Sequence, residues 1–251
     1  MAKSERFIFG IHAVEEAILA GKELDKVLVR RGVGSDLFNK LVGQLHELKV
    51  PVQQVPVEKL NRVTMKNHQG IVAFISEISY HDITNLLPSV FESGEDPLVL
   101  LLDGVSDVRN FGAIARSAEC AGVHAIVIPF SGSAAVNADA IKTSAGALLR
   151  IPVCRHKDMT GVLKFLQQSG LRLFGATEKA KDSIYDTDLT GPAAIVMGGE
   201  EKGISQNLLK DIEHWVSIPM KGKISSLNVS VAAGVVLFET LRQRAMPRQS
   251  G

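Results

Sequence analysis

The chain is poor in cysteine, in net charge and in long apolar runs, and each shortage removes a class of protein. Cys120 and Cys154 are the only cysteines in 251 residues. They stand far apart with no CxxC, which argues against a zinc site or a disulfide scaffold and suits a reducing cytoplasm. The formal net charge is +1, so no strong field announces a nucleic-acid or membrane partner. Dividing the chain does not uncover one: residues 1–80 carry 11 Lys or Arg against 9 Asp or Glu, and the remainder 17 against 18. An RNA-binding surface therefore has to come from local arrangement of charge. The most apolar stretch, PLVLLL at Pro97 to Leu102, is far shorter than the roughly 20 residues of a membrane span. The opening MAKSERFIFGIHAVEE has acids too early and an apolar stretch too short for a secretory signal. The expectation is a soluble, cytoplasmic protein without a metal.

What remains is ordinary globular composition, 45% hydrophobic and 22% charged, in a length that allows one large domain or two modest ones. The first 75 or so residues alternate helix and strand signals. IHAVEEAILAG reads as a helix ending at Gly21, DKVLVRR as a strand. SDLFNKLVGQLHELK has Leu37, Leu41, Leu45 and Leu48 at helical spacing behind a Ser35 or Asp36 cap. VQQV and QGIVAFIS follow as strands. Residues 79–96 have weak periodicity, a proline and an acidic glycine-containing tail, and read as a linker with one helical turn at most. From Pro97 the pattern sharpens into alternating apolar strands and helices, ending in a long helix from about Leu227. Continuous apolar strands suit a parallel sheet covered on both faces.

In open α/β sheets, ligands bind beyond the carboxyl ends of the strands. Just past those ends lie DGVSDVRNFGA, GATEKA, GGEEKG and IPMKGKISSLN. None is a nucleotide loop. No GxGxxG follows a strand, and GGEEKGIS has Ile204 where a Walker motif requires Lys. There is no GxSxG or HExxH, and the seven histidines are scattered. Asn110 and Arg116 open and ride a helix, with Gly112 between them allowing close backbone approach to a ligand. Taken alone, Asn110 is equally a helix cap, Arg116 a solvated side chain, Glu200 a surface acid, and Ser226 and Asn228 caps of the last helix. Asp103 and Asp107 would close a turn.

Together the three loops are more specific. DGVSDVRNFGAIARSA, IVMGGEEKG and IPMKGKISSLNVSVAAG, across residues 98–244, resemble the three motifs of the SpoU family of RNA ribose 2′-O-methyltransferases, in the SPOUT superfamily. FIFGIHAVEEAI and NHQGIVAFI are similar to the small ribosomal-protein-L30e-like domain attached to many members. The combination most resembles the members acting on a guanosine of bacterial 23S ribosomal RNA. One departure is visible: Val108 stands where the family commonly has proline, which leaves the geometry of that loop less constrained.

The resemblance implies an L30e-like RNA substrate-binding domain at 1–78, a linker at 79–96 and a catalytic domain at 97–251. That catalytic domain would be an α/β fold with a mostly parallel sheet, helices on both faces and a deep trefoil knot. It implies S-adenosylmethionine as cofactor, with S-adenosylhomocysteine as product, held by Thr177, Gly198, Ile218, Met220 and Leu227. Asn110, Arg116, Glu200, Ser226 and Asn228 are the implied catalytic set. Arg116 would grip the target phosphate, Asn110 and Ser226 would place hydrogen bonds around the 2′-oxygen, and Glu200 and Asn228 would hold the loops in register. An arginine with a pKa above about 12 makes a costly general base, and the identity of the base stays open. The implied partners are ribosomal RNA or a pre-ribosomal particle, gripped partly by Lys26, Arg30, Arg31 and Lys66, and a second copy of the chain. A transfer-RNA methyltransferase of the same family, a non-catalytic RNA-binding assembly factor and a dinucleotide oxidoreductase are the competing readings. The intact polar set weighs against the second, the missing fingerprint against the third.

Overall fold

The computed structural model describes residues 7–32, 34–200 and 202–245. The chain divides into two compact units, Met1–Ser79 with Val136–Ala138, and Tyr80–Ala135 with Asp139–Gly251.

The first unit contains β1 (Phe7–Phe9), α1 (Ile11–Leu19), β2 (Leu24–Arg30), α2 (Asp36–Glu47), β3 (Val52–Val55), α3 (Val57–Val63) and β4 (Ile71–Ile75). Its sheet has the order β1-β4-β2-β3. β4 is antiparallel to both neighbours, and β3 runs parallel to β2. Alternation along β2 sends Val27 and Val29 to the face packed by α1 and α2, and Leu28 to the face under α3. Ser35 caps α2, its Oγ accepting from Phe38 N at 3.3 Å. Of the leucine ladder read from the sequence, Leu41 and Leu45 are buried as expected, while its two ends, Leu37 and Leu48, are exposed and Phe38 takes the first buried place. Phe38, Leu41 and Leu45 form an i, i+3, i+7 stripe on one face.

The second unit contains β5 (Tyr80–His81), α4 (Ile83–Glu92), β6 (Leu98–Asp103), α5 (Val108–Cys120), β7 (Ala125–Pro129), α6 (Ala138–Thr143), β8 (Val153–His156) and α7 (Met159–Gln168). It continues through β9 (Arg172–Ala176), β10 (Asp182–Ser183), β11 (Ala193–Gly198), α8 (Gln206–Leu209), β12 (His214–Ser217) and α9 (Val229–Ala245). The strands form one sheet in the order β10-β12-β9-β11-β6-β7-β8-β5, and each neighbouring pair is parallel. Leu98 to Leu102 and Ala193 to Val196 are buried throughout, as strands covered on both faces must be. Leu87, Leu163, Leu166 and Leu208 cover one face. On the other, α5 and α9 lie side by side.

Residues 79–96 are not a linker. Tyr80 and His81 pair with β8, Asp82 caps α4 by accepting from Thr84 N at 3.0 Å, and Ile83, Leu87 and Val90 are buried. Pro88 lies inside α4; it interrupts the sequence pattern without ending a helix whose buried face is anchored to the sheet. α6 stops at Thr143 because Ala145 (φ 52°) and Gly146 (φ 85°) turn left-handed. Gly112 has a different task from the ligand approach read from sequence. It is buried inside α5, and a Cβ there would lie 2.8 Å from both Ala140 O and Thr143 Cβ. Its bareness lets helices touch.

Cys154 is fully buried, and burial, helped by the negative charge of Asp82, pushes its thiol up to about 12. Cys120 is exposed. Below that pKa the Cys154 thiol stays protonated and unreactive. A thiol reagent at pH 8 is therefore expected to label Cys120 alone in the folded protein and both cysteines in denaturant. Rapid native labelling of both would contradict this packing.

Candidate functional site

The site is built where β6, β9, β11 and β12 end together. Asp107 caps α5, its Oδ1 accepting from Arg109 N at 2.9 Å and Asn110 N at 2.8 Å. Val108 therefore occupies the first helical position, where proline would be preorganised but where any residue fits. The capping residue, not Asn110, closes the turn. That frees the Asn110 side chain.

Beyond β11 the chain folds back on itself. Gly199 N donates to Asp103 O at 2.8 Å, Gly203 N donates to Gly199 O at 2.9 Å, and Ser205 N donates to Asp103 Oδ2 at 2.7 Å. The turn has no room for side chains: a Cβ on Gly198 would meet Gly203 C at 2.0 Å, and one on Gly199 would meet Gly104 O at 2.4 Å. These two glycines serve the chain's own close passage first. Asp103, read from sequence as a turn residue, anchors the loop carrying Glu200.

Asn110 in the first turn of α5, Glu200 after β11 and Asn228 just ahead of α9 close a small ring. Asn228 Nδ2 donates to Glu200 Oε1 at 2.7 Å and to Asn110 Oδ1 at 3.0 Å, and Asn110 Nδ2 donates to the same Glu200 oxygen at 3.1 Å. The other end of Asn228 caps α9, with Oδ1 accepting from Ser230 N at 2.9 Å and Ser230 Oγ at 2.6 Å. Cap and cross-link are thus one side chain. Ser230 completes the cap.

A cavity of about 1030 Å³ opens beside this ring, at the upper end of the roughly 300–1,000 Å³ usual for small-molecule sites. Thr177, Gly198, Ile218, Met220 and Leu227, the predicted cofactor wall, all line it, as do Glu200, Ser226 and Asn228. Trp215 and Lys179 also line it, and the sequence pattern nominated neither. Asn110 joins through its bonds to Glu200 and Asn228. Arg116 is not brought in: it lies exposed on α5, and the six-residue separation turns it about 120° from Asn110 around a 3.6-residue helix. Ser226 lies ahead of α9 and is no part of its cap.

The cavity suits a ligand with an apolar ring and a polar edge. Met220 and Leu227 are 38% and 40% exposed, and Ile218 lies with them on the wall. Among the described residues, none of 219–227 makes a hydrogen bond. Of this stretch Met220, Ser226 and Leu227 line the cavity, so unbonded main chain borders it at these three positions. No group of three metal-ligating side chains occurs among the described residues.

Residues 97–238 match the SpoU rRNA Methylase family, and residues 7–81 match the family described as RNA 2′-O ribose methyltransferase substrate binding. The 23S rRNA (guanosine-2′-O-)-methyltransferase RlmB of Yersinia pestis is 37% identical over 95% of this chain and 98% of its own. The crystal structure of the SpoU methyltransferase AviRb from Streptomyces viridochromogenes with AdoMet superposes with a TM-score of 0.60 at 26% identity, covering 94% of this chain and 89% of that one. The A. aeolicus TrmH/SpoU tRNA modifying enzyme gives 0.54 at 25% identity, covering 64% of this chain and 83% of that one.

Asn228→Asp tests the ring, because it keeps the capping oxygen but turns the bridging donor into a second acid beside Glu200. The substitution is expected to lower unfolding free energy by about 1–2 kcal/mol at pH 8. Urea unfolding of the variant beside wild type measures the loss, and an unchanged midpoint would remove the ring's amide bridge from the account.

Proposed function

The chain belongs to the SpoU rRNA methylase family, and from that membership we propose that it methylates the ribose 2′-hydroxyl of a guanosine in 23S ribosomal RNA. The observation that carries the proposal is the convergence of eight nominated residues on one cavity, in a chain whose full-length relative is named for that reaction. S-adenosylmethionine is the cofactor, and when bound it supplies a methyl group on a positively charged sulfur.

The residues divide the remaining work. Met220, Leu227 and Ile218 give apolar surface to the adenine ring, and the unbonded main chain at Met220, Ser226 and Leu227 serves its edge. The Asn110–Glu200–Asn228 ring keeps three segments in register, so that the hydroxyl meets the methyl in line. Ser226, on the cavity wall with no hydrogen bond among the described residues, is available to the ribose. Arg116, by its fixed charge and planar fork, grips the phosphate and orients the 2′-oxygen. An exposed apolar stripe on α9, Val231, Phe238 and Leu241, supports pairing with a second copy. Because α5 packs beside α9, Arg116 would lie close to that contact. The trefoil passage implied by the family resemblance belongs to the same proposal.

Ribosomal RNA is favoured over transfer RNA by extent of similarity. The relative named for 23S rRNA spans 95% of the chain, including the first unit, whereas the tRNA-modifying structure covers 64%. A ribosomal substrate and bacterial relatives also support a cytoplasmic location, and no helix among the described residues is long and apolar enough to cross a membrane.

Two measurements test the reading. With a 23S rRNA transcript, Arg116→Lys is expected to lower single-turnover methylation by about tenfold or more, because a point charge cannot reproduce a two-pronged phosphate contact. Titration calorimetry should find S-adenosylmethionine binding by that variant unchanged. Wild-type activity in Arg116→Lys would remove the guanidinium from the proposal.

A further inference from the structure

The NHQG motif (Asn67 to Gly70) and the two arginines ending β2 have no part in the methyl-transfer site, yet the fold gathers them at one end of the first unit's sheet. Arg30 N donates to Gly70 O at 2.8 Å, Arg31 N to Val55 O at 3.1 Å, and Gly10 N to Ile71 O at 3.2 Å. Lys26 does not belong to this end. It sits four residues back along β2, its ammonium 4.8 Å from the centre of the Phe74 ring.

The loop is held in an unusual shape. Gln69 is left-handed at φ 52°, a region non-glycine residues rarely enter. His68 fixes it from below: Nδ1 accepts from Gly70 N at 3.0 Å, which leaves Nε2 protonated to donate to Asn61 Oδ1 at 2.9 Å. Gln69 Oε1 accepts from Ile11 N at 3.0 Å, at the start of α1. One half of the Gln69 amide is thereby used, and its orientation is set. The Nε2 half has no partner among the described residues, and the residue is exposed.

Capping alone does not account for an amide. A carboxylate at this position would accept the same bond and add about 0.3–1 kcal/mol through the helix dipole. A glutamine is the better choice only where the second atom has to be a donor. The ladder bond from Arg30 N to Gly70 O puts Arg30 beside the residue that follows Gln69, Arg31 follows it in the chain, and Met65 and Lys66 precede Gln69 by four and three residues; all four side chains are exposed, Met65 by 84%. Independently, residues 7–81 match a family described as substrate binding.

We propose that this sheet end reads an unpaired nucleotide of the RNA substrate: Gln69 Nε2 donates to an acceptor on the base edge while Arg30, Arg31 and Lys66 hold the flanking phosphates. The inference rests on the RNA-methyltransferase reading above and adds the surface and the specificity residue. Unpaired RNA exposes base edges that a duplex hides, and the division of labour is the usual one, phosphate contacts positioning and base contacts specifying.

Gln69→Glu in the full-length chain keeps the capping oxygen but exchanges the outward donor for a charged acceptor, so Gln69→Ala, which removes the donor without adding charge, is measured beside it and is expected to lose affinity as well. Filter binding of Gln69→Glu to an unmodified 23S rRNA transcript is expected to show affinity reduced by about tenfold, with thermal stability at or above wild type. Arg30→Ala and Arg31→Ala, which touch no cap, should each lower the slope of log affinity against log salt by about one. Either Gln69 variant binding RNA within about twofold of wild type, or unchanged salt slopes in both arginine variants, would overturn the inference. Wild-type protein that binds S-adenosylmethionine but methylates no ribosomal RNA would instead overturn the reading on which it rests.

Discussion

One side chain, Asn228, ties the cavity end of the second unit together. Its oxygen starts α9, and its amide hydrogens reach Glu200 and Asn110, which are 28 and 118 residues distant in sequence. The ring is solvent-exposed, so its contribution to global stability is modest. Its consequence is positional. Three segments that would otherwise move independently share one hydrogen-bond geometry, and the cavity wall formed by Met220 and Leu227 is attached to the last of them.

The parallel sheet supplies the conditions for that ring. Parallel pairing puts every carboxyl end on one edge, so β6, β9, β11 and β12 deliver their following loops to one place. Close passage then demands missing side chains. Gly198 and Gly199 admit the chain's own return at Gly203 and Gly104, and Gly112 admits α6 against α5. Asp103 and Asp107 satisfy main-chain N–H groups at the two loop starts, which leaves Asn110 free for the ring. The first unit follows a related economy: Gln69 and His68 hold a left-handed turn by hydrogen bonds.

Much of this was legible in the sequence, for particular reasons. Continuous apolar runs such as Leu98 to Leu102 are readable as doubly covered strands because burial on both faces leaves no polar position. Ser35 was readable as a cap because its chemistry is local. α4 was not, because Pro88 and a two-residue strand before it leave no period to detect, although the sheet anchors both. The ends of the α2 leucine ladder misled for the opposite reason. Leu41 and Leu45 are buried as read, but both Leu37 and Phe38 fit the start of the stripe, and only the facing sheet selects Phe38.

The sequence by itself determined the chemistry available: amide, carboxylate, guanidinium and hydroxyl groups at strand ends, three loop motifs resembling one family, and glycines where the backbone had to be bare. Which of these groups meet follows from the folded arrangement of sheet and helices. It joined Asn110, Glu200 and Asn228, lined one cavity with the five predicted cofactor residues, and left Arg116 outside it. Local pattern records what a residue can bond to. Partners 28 to 118 residues away are chosen by sheet order and helix phase, which no short stretch of sequence contains.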